Sequence, residues 1–162
     1  MSAKNSWSKE TLERMIEGRM SEQESFLMQT QPKDPDRFER VLEIMQERVP
    51  WPEKIMVPLG EHLYVVENMN GERIVKCDCG HEFGDYRENW KLNALVFSRD
   101  NMEKLNEIYV GNRACDPGWM ILREYYCPGC ATMLETEAVT PGYPVIFNFL
   151  PDFEAFEANK KK

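Results

Sequence analysis

Apolar positions recur along this 162-residue chain with two periods, and the change from one to the other falls near residue 60. Over residues 8–28, Leu12, Met15, Ile16 and Met20 share a stripe among Glu10, Glu13, Arg14 and Glu17, the spacing of an amphipathic helix. Gly18 weakens that helix, and Ser21-Glu22-Gln23-Glu24 has the form of a capping box, so the pattern predicts a stop near Gly18 and a restart. The methionines read as core or contact surface rather than as metal or redox groups. Pro32 and Pro35 mark a linker over residues 31–36, with Asp34 as N-cap, Pro35 as first helical residue and Asp36 as a favourable first-turn charge. The next helix carries Phe38, Val41, Leu42, Met45 and Val49 on one face and ends at Pro50-Trp51-Pro52. These two stripes either pack on the rest of the chain or meet another chain. The first helix, with abundant charge and a modest stripe, suits an arm lying on a partner.

From Glu61 the period shortens to that of strands. Residues 62–66 and 73–76 flank Asn70-Gly71, a strong hairpin signal, and the second strand delivers Cys77 and Cys79 at its end. Residues 90–97 predict another strand. Asp100 to Glu103 caps a short helix with Leu105, Ile108 and Tyr109, which Gly111 ends. Residues 119–126 read as a strand running into Cys127, and residues 133–139 as its return. The final stretch packs Tyr143, Val145, Ile146, Phe147, Phe149, Leu150, Phe153 and Phe156 around Pro144 and Pro151. The prolines argue against a helix over most of it. Such a segment either wraps its own domain or inserts into a partner's groove. Lys160-Lys161-Lys162 reads as a solvated end.

Charge narrows the partners. The formal net charge is −8, and between Glu72 and Glu137 there are 12 acidic and 8 basic side chains. A surface for phosphates needs the opposite balance, so nucleic acid is not expected as a partner. No long apolar run occurs and residues 1–9 are polar, which predicts no membrane span, no export signal and a cytoplasmic protein. In a reducing compartment, paired cysteines read as metal ligands rather than disulfides.

Four of the five cysteines form two close pairs, Cys77-Asp78-Cys79-Gly80-His81 and Cys127-Pro128-Gly129-Cys130. Two such pairs brought together by a fold make a tetrahedral thiolate site for Zn²⁺. Pro128 fixes one φ, and Gly129, tolerant of positive φ, is expected to let the backbone turn the N–H groups of Gly129 and Cys130 toward the Cys127 sulfur. Iron in a rubredoxin-like site uses the same ligands. A redox dithiol at Cys127 and Cys130 would start a helix, whereas strand patterns flank this pair. Cys115 reads as a spare thiol that also has the chemistry to replace Cys77 or Cys79. His81 reads as a local hydrogen-bonding group, with a ligand or supporting role as the alternative, and His62 as structural.

No nucleophile with a base, no tuned carboxylate pair, no P-loop and no dinucleotide fingerprint stands out, and a four-thiolate zinc is closed and structural. No catalytic or cofactor-binding residue is assigned. The fold expected is α+β: a helical arm and linker over residues 1–60, a zinc-ribbon-like antiparallel β domain over 61–140, and an extended tail over 141–162 used for partner docking. Read from the residues alone, the protein is a zinc-stapled interaction or scaffold protein.

Longer runs carry a resemblance. Glu47-Arg48-Val49-Pro50-Trp51, Pro58-Leu59-Gly60-Glu61-His62-Leu63-Tyr64, Val75-Lys76-Cys77-Asp78-Cys79-Gly80-His81-Glu82-Phe83-Gly84-Asp85-Tyr86-Arg87-Glu88-Asn89-Trp90-Lys91-Leu92 and Arg123-Glu124-Tyr125-Tyr126-Cys127-Pro128-Gly129-Cys130 resemble the acetone carboxylase gamma subunit family. The aromatic tail fits the same family. The resemblance implies a cytoplasmic heterohexamer of two large subunits, alpha and beta, with this small one. Its reaction joins acetone and bicarbonate to acetoacetate, driven by ATP hydrolysis. It also implies that the large subunits carry ATP, Mg²⁺ and Mn²⁺, while the small one holds Zn²⁺ at Cys77, Cys79, Cys127 and Cys130. The alternatives are a gamma-type subunit for another ketone, since related carboxylases act on aromatic ketones, and an independent cytosolic zinc-ribbon adaptor.

Overall fold

The computed structural model describes residues 7–111 and 113–160. The polar start at residues 1–6 and the terminal Lys161-Lys162 lie outside them. Helix α1 (Lys9–Ile16) begins where Ser8 Oγ accepts the Thr11 N–H at 3.1 Å. It ends before Gly18, whose φ of +64° favours glycine. Helix α2 (Glu22–Thr30) restarts with both halves of the Ser21–Glu24 capping box in place. Helix α3 (Arg37–Gln46) starts two residues later than the proline pattern predicts. Asp34 instead accepts the distant Trp7 N–H at 3.1 Å, which ties the linker to the start of α1.

Helix α3 has two apolar faces. Ile44 and Val41 meet Leu12, Met15, Ile16 and Met28 of α1 and α2, while Leu42 and Met45, with Val49 just beyond the end of the helix, cover Trp51, Ile55, Tyr64 and Val66. The helical region is therefore one layer on α3, and α3 is a second layer on the sheet beneath.

That sheet is antiparallel, in the order β1 (Lys54–Pro58), β2 (Leu63–Glu67), β3 (Arg73–Cys77), β4 (Glu82–Asp85). The outer strands β1 and β4 lie outside the strands that the periodicity predicts: β1 follows directly on the Pro50-Trp51-Pro52 break and ends at Pro58, and β4 is four residues long with Gly84 inside it. The predicted hairpin is present between β2 and β3. Its loop closes through Asn68 Oδ1, which accepts the Asn70 and Glu72 N–H groups, and only Gly71 of the Asn-Gly pair takes positive φ.

The second sheet is also antiparallel, β5 (Leu95–Arg99), β6 (Ile121–Tyr126), β7 (Met133–Val139), with a short helix α4 (Met102–Asn106) packed beside β5. The expected strand over 90–97 divides. Asn89 Oδ1 takes the Lys91 N–H at 3.2 Å and sets a 3₁₀ turn over Trp90–Asn93, and the strand begins only at Leu95. Trp90 and Lys91 are both buried, which consecutive residues of a half-buried strand do not manage.

The two sheets meet through one cluster: Leu63, Val75, Cys77 and Phe83 from the first, Tyr125 and Cys127 from the second, with Trp90 between them. The tail crosses this junction, with Val145 packed against the cluster and its carbonyl accepting Asn89 Nδ2 at 3.4 Å. After Pro151, Asp152 Oδ1 accepts the Ala155 N–H at 2.9 Å and starts α5 (Phe153–Lys160). Phe153 is buried against Tyr86 with the Arg73 guanidinium 4.5 Å from its ring centre. Of the two fates open to the tail, its end takes the intramolecular one.

Candidate metal centre

Cys77 closes strand β3, and Cys79 follows in the tight turn that leads to β4. The turn is held by the Gly80 N–H on the Cys77 carbonyl at 2.8 Å and the Cys77 N–H on the His81 carbonyl at 2.9 Å. Gly80 sits at φ +94°, a region that favours glycine. Cys127 and Cys130 lie in the turn between β6 and β7, where the Ala131 N–H meets the Cys127 carbonyl at 2.8 Å and the Cys127 N–H meets the Thr132 carbonyl at 2.9 Å. Both turns bring their sulfurs to the junction of the two sheets.

There the four sulfurs lie within 4.8 Å of one another. Cys77 and Cys130 are 3.9 Å apart and Cys79 and Cys127 3.7 Å. A tetrahedron with metal–sulfur bonds of about 2.3 Å has sulfur–sulfur edges of about 3.8 Å, so the donor set has the size and shape for a four-thiolate ion. These distances are far from a disulfide, and all four thiols are free. Cys77 and Cys127 are buried, and Cys79 and Cys130 face outward.

Main-chain amides prepare the sulfurs for negative charge. The Gly129 N–H points at Cys127 Sγ from 3.4 Å. The main chain of Cys79 favours the thiolate at Cys77, and that of His81 does so at Cys79, though burial outweighs both and pushes these two thiols up. The Thr132 hydroxyl and main chain hold the Cys130 thiol down to about 7.

The glycine in this turn acts differently from the sequence expectation. Positive φ falls at Ala131, φ +58°, and not at Gly129. What Gly129 supplies is space: a Cβ there would lie 3.0 Å from the His81 Cβ and 3.3 Å from Cys79 Sγ. The two knuckles approach each other so closely that a side chain at this point would have to push the opposing turn aside by a few tenths of an ångström.

Neither remaining candidate joins the cluster. Cys115 Sγ contacts the Met120 carbonyl at 3.5 Å in its own loop, and the His81 ring packs edge-on against Phe83 with centroids 5.0 Å apart. His62 pairs instead with Asp78, Nδ1 to Oδ2 2.6 Å, clipping the turn between Cys77 and Cys79 to the start of β2. Trp51, from the Pro-Trp-Pro break, donates its indole N–H to the carbonyls of Cys77 and Asp78. Sequence reasoning missed these two supports, which no local motif announces. Among the described residues, no helix is long and apolar enough to cross a membrane.

Two antiparallel sheets, a helical layer and a four-cysteine cluster between hairpin turns define a zinc-ribbon-like α+β protein. Comparison with known proteins is more specific. The family model described as acetone carboxylase gamma subunit matches residues 49–161. The acetone carboxylase gamma subunit of Xanthobacter autotrophicus is 45% identical over 143 residues, covering 88% of this chain and 85% of that protein. The acetophenone carboxylase beta subunit of Aromatoleum aromaticum is 34% identical over 101 residues, covering 61% and 78%. The chain belongs to the acetone carboxylase gamma subunit family.

Proposed function

We propose that this chain is the small, zinc-braced subunit of a heteromeric ATP-dependent acetone carboxylase, which joins acetone and bicarbonate to give acetoacetate. The observation that carries this reading is the 45% identity to the Xanthobacter gamma subunit across 88% of the chain. Acetone is favoured over an aromatic ketone because the match to the acetophenone enzyme's subunit is both weaker and shorter, 34% over 61%. Cys77, Cys79, Cys127 and Cys130 would hold the zinc. Four thiolates leave no open coordination position, so the ion supplies rigidity where the sheets meet.

The nucleotide chemistry, with ATP, Mg²⁺ and Mn²⁺, falls to two large subunits, alpha and beta, in a cytoplasmic heterohexamer. Zinc organises residues 61–140, to which the strand Lys54–Pro58 is joined by pairing with β2, and the helical residues before that strand and the tail ahead of α5 flank the unit as docking elements. Tyr143, Ile146, Phe149 and Leu150 of the tail are exposed and support that part of the reading.

The test is to purify the tagged chain from its own cells. The expected result is two larger polypeptides, one zinc per small subunit, and acetoacetate formation that needs acetone, bicarbonate and ATP. Structural zinc in small modules contributes on the order of 10 kcal/mol of apparent folding free energy, so Cys127→Ser should lose zinc, fold and assembly together. Normal assembly of a zinc-free variant with turnover lost would overturn the structural assignment. A solitary chain that binds polyanions with steep salt dependence would make it an adaptor instead.

A further inference from the structure

The two cysteine turns are alike in their hydrogen bonds and unlike in what their sulfurs face. Cys77, the last residue of β3, and Cys127, directly after β6, are fully buried. Both belong to the cluster that joins the sheets, with Leu63, Val75, Phe83, Trp90 and Tyr125. Cys79 and Cys130 are exposed. The buried pair and the outward pair each take one cysteine from each turn, and the close contacts run crosswise. Cys77 meets Cys130 at 3.9 Å, and Cys79 meets Cys127 at 3.7 Å. Of the edges of the sulfur tetrahedron, only the one between Cys79 and Cys130 is outward at both ends.

The buried pair alone spans both sheets, so an outward cysteine can let go while Cys77 and Cys127 still hold the sheets together through the ion. Nor does either turn depend on all four sulfurs for its shape. The first is closed by the Gly80 N–H on the Cys77 carbonyl at 2.8 Å, and Asp78 pairs with His62, just ahead of β2, at 2.6 Å. The second is closed by the Ala131 N–H on the Cys127 carbonyl at 2.8 Å and the Cys127 N–H on the Thr132 carbonyl at 2.9 Å. Opening at the outward edge is therefore a local event that leaves the core in place. Zn²⁺ has no geometric preference from its d electrons and accepts a fifth ligand in passing, so a small soft donor needs only a free edge to begin exchange. The core side, closed by Cys77 and Cys127, offers none.

We propose, resting on the zinc assignment above, that Cys79 and Cys130 form an exchange edge at which a small monothiol takes up and returns the ion, while Cys77 and Cys127 keep the fold. The exchange is a substitution without oxidation or reduction. The thiol's sulfur bonds the ion, one outward cysteine sulfur leaves it, and the thiol's proton passes to that cysteine. A thiol fits because it replaces a donor of its own soft kind. A small one fits because the second turn closes over Cys79, where even a methyl at Gly129 would lie 3.3 Å from the sulfur.

The test uses the full-length zinc-loaded chain, the chromophoric chelator pyridylazoresorcinol, and mercaptoethanol as the monothiol. Zinc transfer to the chelator should run about tenfold or more faster than global unfolding followed by tryptophan fluorescence in the same buffer. It should rise in proportion to the thiol and change little up to about 1 M urea. Release that matches the unfolding rate at every urea concentration and ignores the thiol overturns the proposal. Alkylation by N-ethylmaleimide, followed cysteine by cysteine by peptide mass spectrometry, should reach Cys79 and Cys130 about tenfold or more faster than Cys77 and Cys127. All four reacting together, or the buried pair first, overturns it as well. Cys130→Ser should stay folded by circular dichroism and keep zinc on three thiolates, with affinity lower by about a hundredfold or more. A Cys130→Ser chain that unfolds as Cys127→Ser does removes the division of roles. A wild-type chain that binds no zinc at all overturns the zinc assignment itself, and the proposal with it.

Discussion

The indole N–H of Trp51 reaches the carbonyl oxygens of Cys77 and Asp78, at 3.1 and 3.0 Å, and so ties the end of helix α3 to the turn that presents the first pair of thiols. The Trp51 ring is buried and packs edge-on to Tyr64, centroids 6.0 Å apart. Trp51→Phe keeps an aromatic ring while removing the shared donor and leaving two carbonyls at the turn short of a partner. The expected cost is about 1–3 kcal/mol, the penalty for an unsatisfied buried polar group. Urea unfolding should show a lower midpoint, and a chelator should strip zinc faster than from wild type. An unchanged chelation rate would mean that Trp51 supports the helical layer but not the metal turn.

Gly129→Ala tests the close approach of the two knuckles. The new methyl would meet the His81 Cβ at 3.0 Å, and both atoms are attached directly to backbone. Relief must come from moving one turn, at an overpacking cost of about 1–3 kcal/mol. Zinc affinity should fall and unfolding should occur at lower urea. Gly129→Ala combined with His81→Gly removes the opposing atom and should recover part of the loss, beyond what the separate effects add up to. Additive losses in that cycle would place the strain elsewhere.

Local signals were the legible ones. The Ser21–Glu24 capping box, the hairpin at Asn70-Gly71 and both cysteine pairs sit where the sequence put them, because each is decided within a few residues. The turn at Trp90–Asn93 was misread as strand because the choice rests on two buried neighbours that face different surroundings, a tertiary condition. Ile44 lies outside the predicted α3 stripe because the helix buries two apolar faces, and a single stripe describes only one. At the candidate metal centre, the gathering of the four thiols could be read from spacing. Their supports could not, since Trp51 lies 26 residues from Cys77 and His62 lies 16 from Asp78.

Lys91 is the least expected member of the interior. Its side chain is fully buried beside Tyr125, and its ammonium meets Glu135 at 2.7 Å and also Glu137. Burial alone would lower Lys91, but the two carboxylates outweigh it and hold it above its ordinary value. Burial likewise opposes the charge on Glu137, yet Lys91 and the Tyr125 hydroxyl keep it below the usual carboxylate range. The signs define two limbs. Glu137's contribution is complete above its unfolded value of about 4.3 and is lost as pH falls through the lower folded value. Lys91's contribution is complete below about 10.4 and is lost as pH rises through the higher folded value. Lys91→Met leaves two partly buried carboxylates unpaired and should cost about 3–5 kcal/mol at neutral pH, with the alkaline limb flattened. Urea midpoints measured across pH for both proteins check this. A variant as stable as wild type would show that the ion cluster contributes nothing net.

The tail makes the last prediction, because its end is not free to serve a partner alone. Phe153 is 4% exposed, Phe156 meets Phe38 edge-on at 5.7 Å, and Glu157 pairs with Arg73 at 2.7 Å. Helix α5 therefore joins helix α3 to the β3–β4 side of the first sheet. Phe153→Ala removes a buried ring and should cost about 3–5 kcal/mol. Glu157→Gln, at an exposed ion pair, should cost no more than about 1 kcal/mol. Deleting residues 141–162 should therefore lower the stability of the isolated chain as well as weaken assembly, and Phe153→Ala separates the two effects. If Phe153→Ala destabilises the isolated chain yet still assembles with its partners when folded, α5 is an internal clasp and the exposed Ile146, Phe149 and Leu150 carry the docking. If it leaves the isolated chain unchanged, the packing of Phe153 against Tyr86 and Arg73 contributes little in solution.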